Sequence, residues 1–416
     1  MTAFPLNVIM SKDDAKRIAE RTTWFAICAF AFFSPWSIAG AQTAVEVGLL
    51  AWVVRIVLSG RARLVYTPLN LPILAYVVTQ VISVAFSPYQ AQSLRALGEE
   101  WLLLVFFLIA NNVEGEEKVK KLFGILISVS TLVALYAIWQ HYSGLDLYRD
   151  RMLEPKGGVF LSLGLFDHHL TFGGYYMLVF LLASVFPLGV KRSDFARVVD
   201  FASPTILGLA LVFSYARSAW LGALAGVFTF GLFRGRKFIL LLLLGMLLLC
   251  LVVYVIEPTS WDRIKEIDLS KDKPESTRIR LWLTSINMIK DKPVWGIGLG
   301  NFSRLFDRYK VEGFYDTTCH PHNDFLNVAV NSGLPGLLAY LWIWVAFFRC
   351  TLRSMGRGEK LGFVRAGQMA GVAAITGFLF GSLFQCYYTD AEVNMLLMFI
   401  LGSTMALNRQ ALKENT

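Results

Sequence analysis

His320-Pro321-His322-Asn323-Asp324 leads, past Gly333, into Leu334-Pro335-Gly336-Leu337-Leu338-Ala339-Tyr340-Leu341-Trp342-Ile343-Trp344-Val345-Ala346-Phe347-Phe348. Crossing a hydrocarbon core takes about 20 mainly apolar helical residues, so the apolar run over 334–350 reads as a membrane span. Two imidazoles therefore sit where a polar loop meets that span. Histidine exchanges a proton near neutral pH more readily than any other side chain. A membrane protein holding such groups at a bilayer boundary is placed for proton chemistry on something lipid-borne.

The rest of the chain supports the membrane reading. Of its 416 residues 56% are hydrophobic and only 17% charged, against roughly 25% charged in soluble domains. The 11 Trp and 32 Phe suit lipid-facing and interfacial surfaces. The formal charge of +9 raises a nucleic-acid reading, but most Lys and Arg fall in short connectors between apolar runs, where they set topology. No removable signal peptide is expected, because the polar start (Lys12, Lys16, Arg17, Arg21) leads directly into a full-length span. The five cysteines (Cys28, Cys250, Cys319, Cys350, Cys386) lack metal-site spacing, and a Cys319–Cys386 disulfide is the only pairing worth naming.

Apolar runs occur at 22–40, 41–58, 69–86, 94–110, 120–141, 168–190, 201–216, 218–233, 238–256, 334–350, 363–385 and 392–408. The expected fold is an all-α polytopic integral membrane protein of about 12 transmembrane helices, one transmembrane domain over 1–416. One set of connectors is rich in cations: Arg61 and Arg63; Lys118, Lys120 and Lys121; Lys191, Arg192 and Arg197; Arg234, Arg236 and Lys237; Arg353, Arg357 and Lys360. The alternate connectors, such as 87–93 and 386–391, are nearly free of them. The positive-inside rule then makes both termini cytoplasmic and the alternate connectors external or periplasmic.

Two of those outward segments are long, 142–167 and 257–321, and long loops in compact proteins are usually functional or disordered. In the larger one Pro274, with Ser276 or Thr277 as N-cap, opens a helix running to Lys290. Ile279, Trp282, Leu283, Ile286 and Ile289 share one face of it, while Arg280, Thr284 and Asn287 share another. Such an amphipathic helix fits the outer membrane surface, and Pro293 ends it. Gly296-Ile297-Gly298-Leu299-Gly300 has no preceding strand, so the dinucleotide-loop reading fails and the glycines serve a tight turn.

Ionisable groups within spans are costly and suggest function. Glu46, Arg95, Glu99, Glu100, His141, His168, His169, Arg217, Asp390 and Glu392 all fall at the outward ends of runs whose middles are apolar. That pattern suggests a polar chamber at the outer leaflet; the alternative is that each group simply meets water or headgroups. Arg217 sits in Ser214-Tyr215-Ala216-Arg217-Ser218, a minimal turn inside an apolar stretch. It either snorkels to the headgroups or holds a phosphate with its planar fork. His168-His169 lack an i+4 partner for a metal, which favours a structural or substrate-contacting role.

These residues together carry a resemblance. His322-Asn323, nine residues, Gly333, two residues and Gly336 resemble the signature of the O-antigen ligases, within the superfamily of O-antigen ligases and polymerases. Ser-Tyr-Ala-Arg-Ser at 214–218 looks like that family's arginine turn. Arg278-Ile279-Arg280-Leu281-Trp282, with Lys292-Pro293-Val294-Trp295-Gly296-Ile297-Gly298, resembles the start of its large periplasmic loop. The family spacing to the tryptophan favours Arg278 and the polar stripe favours Arg280, so both are retained. The motifs are specific from about 210 to 340 and weak elsewhere.

The resemblance implies transfer of a polysaccharide from undecaprenyl pyrophosphate to lipid A–core oligosaccharide, on the periplasmic side of a bacterial inner membrane. It also implies inversion at the anomeric carbon without metal, cofactor or nucleotide. On the residues' own chemistry, His322 is the preferred base for a sugar hydroxyl, with His320 the alternative and Asn323 or Asp324 to orient the ring. Arg217, with Arg278 or Arg280, would balance the pyrophosphate's charge. His320, Asn323, His168, His169 and Asn301 are the candidate substrate contacts. Rival readings are an O-antigen polymerase, a protein O-oligosaccharyltransferase and, from another class, a polysaccharide or lipid transporter. A transporter would show mid-plane ionisable groups in repeated halves, and neither is visible.

Overall fold

The computed structural model describes residues 11–60, 64–185, 194–235, 274–313, 320–356 and 362–414, with the isolated positions 237, 240, 244, 245, 251 and 315; side chains of 194–200 and 274–276 are outside the description. Most of the expected span at 238–256 and of the first part of the 257–321 segment, Cys319 with its pairing to Cys386, and the cations Arg61, Arg63, Lys191, Arg192, Arg236, Arg357 and Lys360 lie outside the described residues.

The described chain is mostly helical: α1 Lys12–Phe33, α2 Ile38–Ser59, α3 Asn70–Ala85, α4 Gln90–Gly98, α5 Leu104–Asn112, α6 Glu116–Ser143, α7 His169–Val185, α8 Asp194–Phe213 and α9 Arg217–Arg234, then α10 Pro274–Asp291, α11 Phe302–Tyr309, α12 Asp324–Ser354, α13 Phe363–Gly381 and α14 Ala391–Glu414. Two small hairpins, β1–β2 (Leu145–Asp146 with Arg151–Met152) and β3–β4 (Pro155–Lys156 with Val159–Phe160), lie between α6 and α7. Among the described residues, α2, α6, α12, α13 and α14 are long and apolar enough to cross a membrane, and α3, α7 and the 201–213 part of α8 are shorter apolar helices. This is an all-α membrane protein.

The first two runs divide at 34–37 rather than at 40–41, and two later elements differ further from the sequence reading. The run 94–110 is not one helix: α4 ends at Gly98, a 3-10 turn covers Glu99–Leu103, and α5 follows. The turn coincides with Glu100, whose carboxylate accepts from Tyr388 Oη at 3.1 Å and Tyr76 Oη at 3.4 Å. A half-buried carboxylate is stabilised by such donors. The run 334–350 belongs to the longer α12, which bends at Gly333 (φ 72°, ψ −175°) two residues before Pro335. Proline has no N–H and its ring crowds the carbonyl four residues back. The loop after α10 satisfies the released groups. Ile297 N–H donates to Val330 O at 2.9 Å, Gly298 N–H to Asn331 O at 3.2 Å, and Leu334 N–H to Pro293 O at 2.8 Å. A Cβ on Gly333 would come 2.8 Å from Pro293 O and closer to Val294, so glycine there serves both the bend and the loop's approach.

Helices α7, α9 and α13 pack together at the centre. A Cβ on Gly222 of α9 would lie 2.5 Å from Gly377 O of α13, and one on Gly226 would lie 2.6 Å from Ala373 O. Small residues four apart on facing helices allow this close backbone approach. The segment carrying α10 and α11 has its own small core of Leu281, Met288, Ile297, Phe302 and Phe306, docked on Val330 of α12. On α10 the apolar residues Ile279, Leu283 and Ile286 stay exposed while Leu281, Thr284, Ser285 and Met288 are buried. Part of its apolar face is thus turned outward, while Trp282 and Ile289 are half-buried, Trp282 beside Phe384 and Ile289 against the small core.

Candidate functional site

The start of α7, the α8–α9 turn, the start of α12 and the segment joining α13 to α14 meet at one end of the bundle. Thr171 Oγ1 donates to Asp390 Oδ2 at 3.0 Å, and His169 Nδ1 lies 2.8 Å from Ser214 O. Asp324 N–H donates to Ser382 O at 2.9 Å.

The α8–α9 turn is tied by its serine. Ser214 Oγ donates to Leu211 O at 2.6 Å and accepts from Ala216 N–H at 3.2 Å, while Trp220 Nε1 donates to Leu211 O at 2.9 Å. Tyr215 is forced into the left-handed region (φ 54°), a conformation that non-glycine residues hold only where surroundings impose it. Arg217 is then the first residue of α9, where backbone N–H groups lack intrahelical acceptors and the helix dipole is positive. The Lys156 ammonium, on the β3–β4 hairpin, lies 5.4 Å from the centre of the Tyr215 ring.

Arg278 and Arg280 face different surroundings. Burial raises the pKa of the Tyr387 hydroxyl, and Ser218 and the positive charge of Arg278 work against it; Tyr387 Oη is 2.8 Å from Ser218 Oγ. Arg278 is therefore in electrostatic reach of the residue beside the second position of α9. The Arg280 guanidinium packs on Gly313, where a Cβ would come 2.5 Å from Cζ. Arg278 thus acts on Tyr387 and Arg280 packs on Gly313.

The histidine segment enters α12 through Asn323, the N-cap, whose Oδ1 accepts from Leu326 N–H at 3.0 Å and whose Nδ2 donates to Leu383 O at 3.0 Å. Asp324 is buried and accepts from the N–H groups of Tyr387 (3.1 Å) and Tyr388 (3.0 Å). These contacts of Asn323 and Asp324 serve capping and loop-binding. Gln385 Oε1 lies 2.6 Å from His322 Nδ1. His322 has φ 50°, and its backbone N–H donates to His320 Nδ1 at 3.3 Å. The two rings are edge to face at 4.4 Å.

Burial, helped by His322 and His168, holds the His320 pKa down at about 4. His168 thus belongs to the same electrostatic neighbourhood, and its ring is 4.7 Å from that of His169. Asn301 is elsewhere: buried, it donates to Ser87 Oγ (2.9 Å), Ser93 Oγ (3.0 Å) and Ile297 O (3.0 Å), a clasp between the glycine loop and the α3–α4 connection. Among the described residues no group of three or more His, Cys, Asp and Glu side chains is placed to hold a metal.

Gln385 escaped the sequence reading because it lies where an apolar run gives way to a short connector, a place where any polar residue is unremarked. Only the pairing of α12 with the α13–α14 segment, 63 residues away in sequence, gives it meaning.

Fold and site together define a multi-pass helical membrane protein with imidazoles, arginines and carboxylates gathered at one end of its bundle. Residues 204–341 match the family model described as O-antigen ligase. That stretch holds Arg217, Arg278, Arg280, Asn301, His320, His322 and Asn323, and excludes His168, His169 and Gln385. The chain is also similar to a Rickettsia conorii protein whose name gives it, provisionally, as a polysaccharide ligase; the two are 23% identical over 277 residues, 62% of each chain. Over those residues the chain is similar to the O-antigen ligases.

Proposed function

We propose that this protein is an O-antigen ligase, an inverting glycosyltransferase that moves a polysaccharide from undecaprenyl pyrophosphate to lipid A–core oligosaccharide. The observation that carries the reading is that Tyr387 joins the two motif segments inside the family-matched stretch, its hydroxyl 2.8 Å from Ser218 Oγ beside Arg217 and its N–H donating to Asp324 beside the histidines. An acceptor hydroxyl would attack the anomeric carbon from the face opposite the pyrophosphate and pass its proton to His322 Nε2. The bond from that carbon to the phosphate oxygen breaks, and undecaprenyl pyrophosphate leaves with the electron pair. A positioned base contributes roughly 10²–10⁴-fold. Arg217 and Arg278 would balance the leaving group's charge in place of a divalent metal, aided by the N–H groups that open α9. On this reading the site is periplasmic, the termini are cytoplasmic, and both lipid substrates reach it from the outer leaflet.

The test uses lipopolysaccharide ladders and lipid-linked intermediates in a strain carrying His322→Ala or Arg217→Ala at normal membrane level. Loss of long-chain lipopolysaccharide with accumulation of lipid-linked polymer is expected. Accumulation of single lipid-linked repeats would instead identify a polymerase, and an unchanged ladder with His322→Ala would remove the base assignment.

A further inference from the structure

We propose that Gln385 is the positioning residue that fixes the protonation pattern of His322. The inference rests on the reading of His322 as the base. A side-chain carbonyl only accepts, so the 2.6 Å contact between Gln385 Oε1 and His322 Nδ1 puts the ring proton on Nδ1. In the neutral imidazole the other nitrogen then carries the lone pair. The nitrogen that must take the acceptor's proton is thereby kept basic before substrate arrives. His320 has the reverse arrangement: its Nδ1 accepts the His322 N–H at 3.3 Å, so its proton is on Nε2. His168 matches His320, since its Nδ1 accepts from Leu170 N–H at 3.1 Å. Of this group, His322 is the one whose tautomer depends on a side chain.

Gln385 is itself held rigidly. The segment bearing it is fixed on one side by Asp324 N–H donating to Ser382 O at 2.9 Å. On the other side the Asp324 carboxylate accepts from Tyr387 and Tyr388 N–H, and Asn323 Nδ2 holds Leu383 O at 3.0 Å. The left-handed backbone of His322 (φ 50°) aims the ring at that segment. One short stretch of α12's N-terminus thus places both the base and the group that orients it. A ring nitrogen's role is commonly set by the hydrogen bond made by the other nitrogen.

The experiment uses the full-length protein in lipid nanodiscs, with an undecaprenyl-pyrophosphate-linked oligosaccharide as donor and O-antigen-free lipid A–core as acceptor. Gln385→Leu is expected to lower kcat by 10- to 100-fold with donor KM unchanged. Gln385→Glu, which also accepts from Nδ1–H, is expected to recover most of the rate and to move the acidic limb of the pH profile upward. The charged and titratable groups around this turn, His320, His168, Asp324, Asp390 and Arg278, are the same in both variants, so a shift between them belongs to position 385.

A second readout is independent of transfer. In protein labelled with ¹⁵N-histidine, with the His322 signal identified by its loss in His322→Gln, the ring is expected to carry its proton on Nδ1. In Gln385→Leu that preference is expected to disappear. A wild-type His322 protonated on Nε2, or a Gln385→Leu variant with unchanged kcat and tautomer, overturns the proposal. Wild-type transfer by His322→Ala would instead overturn the base reading while leaving the tautomer result standing.

Discussion

The His320 imidazole is enclosed by a second imidazole and by the start of a helix, and it stays neutral well into the acid range, with a pKa of about 4. An unfolded chain protonates the same ring near 6.5. Between these values the unfolded state binds more protons, so stability falls as pH drops through that window and is regained above it. We expect the apparent Tm of the detergent-solubilised protein to fall on acidification from pH 6.5 to 4. His320→Gln should flatten that fall by an amount on the order of 1–2 kcal/mol. An equal slope in the variant would show that His320 is not the group responsible. The candidate histidines were legible in sequence because imidazoles next to an apolar run stand out. Their partners were not: Gln385 and the two backbone N–H groups on Asp324 arrive from a different helix pair, and no spacing rule connects them.

At the scale of elements, the glycine of the histidine motif belongs to architecture before chemistry. Gly333 bends α12 so that the glycine loop can hydrogen-bond to Val330 and Asn331. Gly333→Ala would combine a positive φ with a collision against Pro293 and Val294. A cost of about 3 kcal/mol or more is expected, read as loss of folded protein on size exclusion and a lower Tm, without a change in the residual enzyme's donor KM. A variant of normal stability would contradict this role. Most helices were readable from apolar periodicity, including the α8–α9 break at 214–216 and the helix opening near Pro274. The bend in α12 and the 3-10 turn at 99–103 were not, because each answers to a partner far away in sequence: the glycine loop in one case, Tyr76 and Tyr388 in the other.

Across the whole molecule, the α7–α9–α13 centre and the docked α10–α11 segment hold three helix ends and two loops in one polar site. Glycines let α9 and α13 approach closely, and Asp324 holds the α13–α14 segment. On the proposed function that layout separates duties: arginines at the start of α9 and on α10 for the leaving group, imidazoles at the start of α12 for the acceptor. The division makes a kinetic prediction. Arg217→Ala should lose donor affinity as well as rate, whereas His322→Ala should lose rate alone, because a base acts on the acceptor's proton in the transition state. The most direct measurement is transfer by purified protein in nanodiscs, from undecaprenyl-pyrophosphate-linked glycan to lipid A–core, with wild type and His322→Ala compared at saturating donor and acceptor. The account predicts a turnover at least 10²-fold lower for His322→Ala, as for a lost general base, with donor KM unchanged; turnover equal to wild type would contradict it.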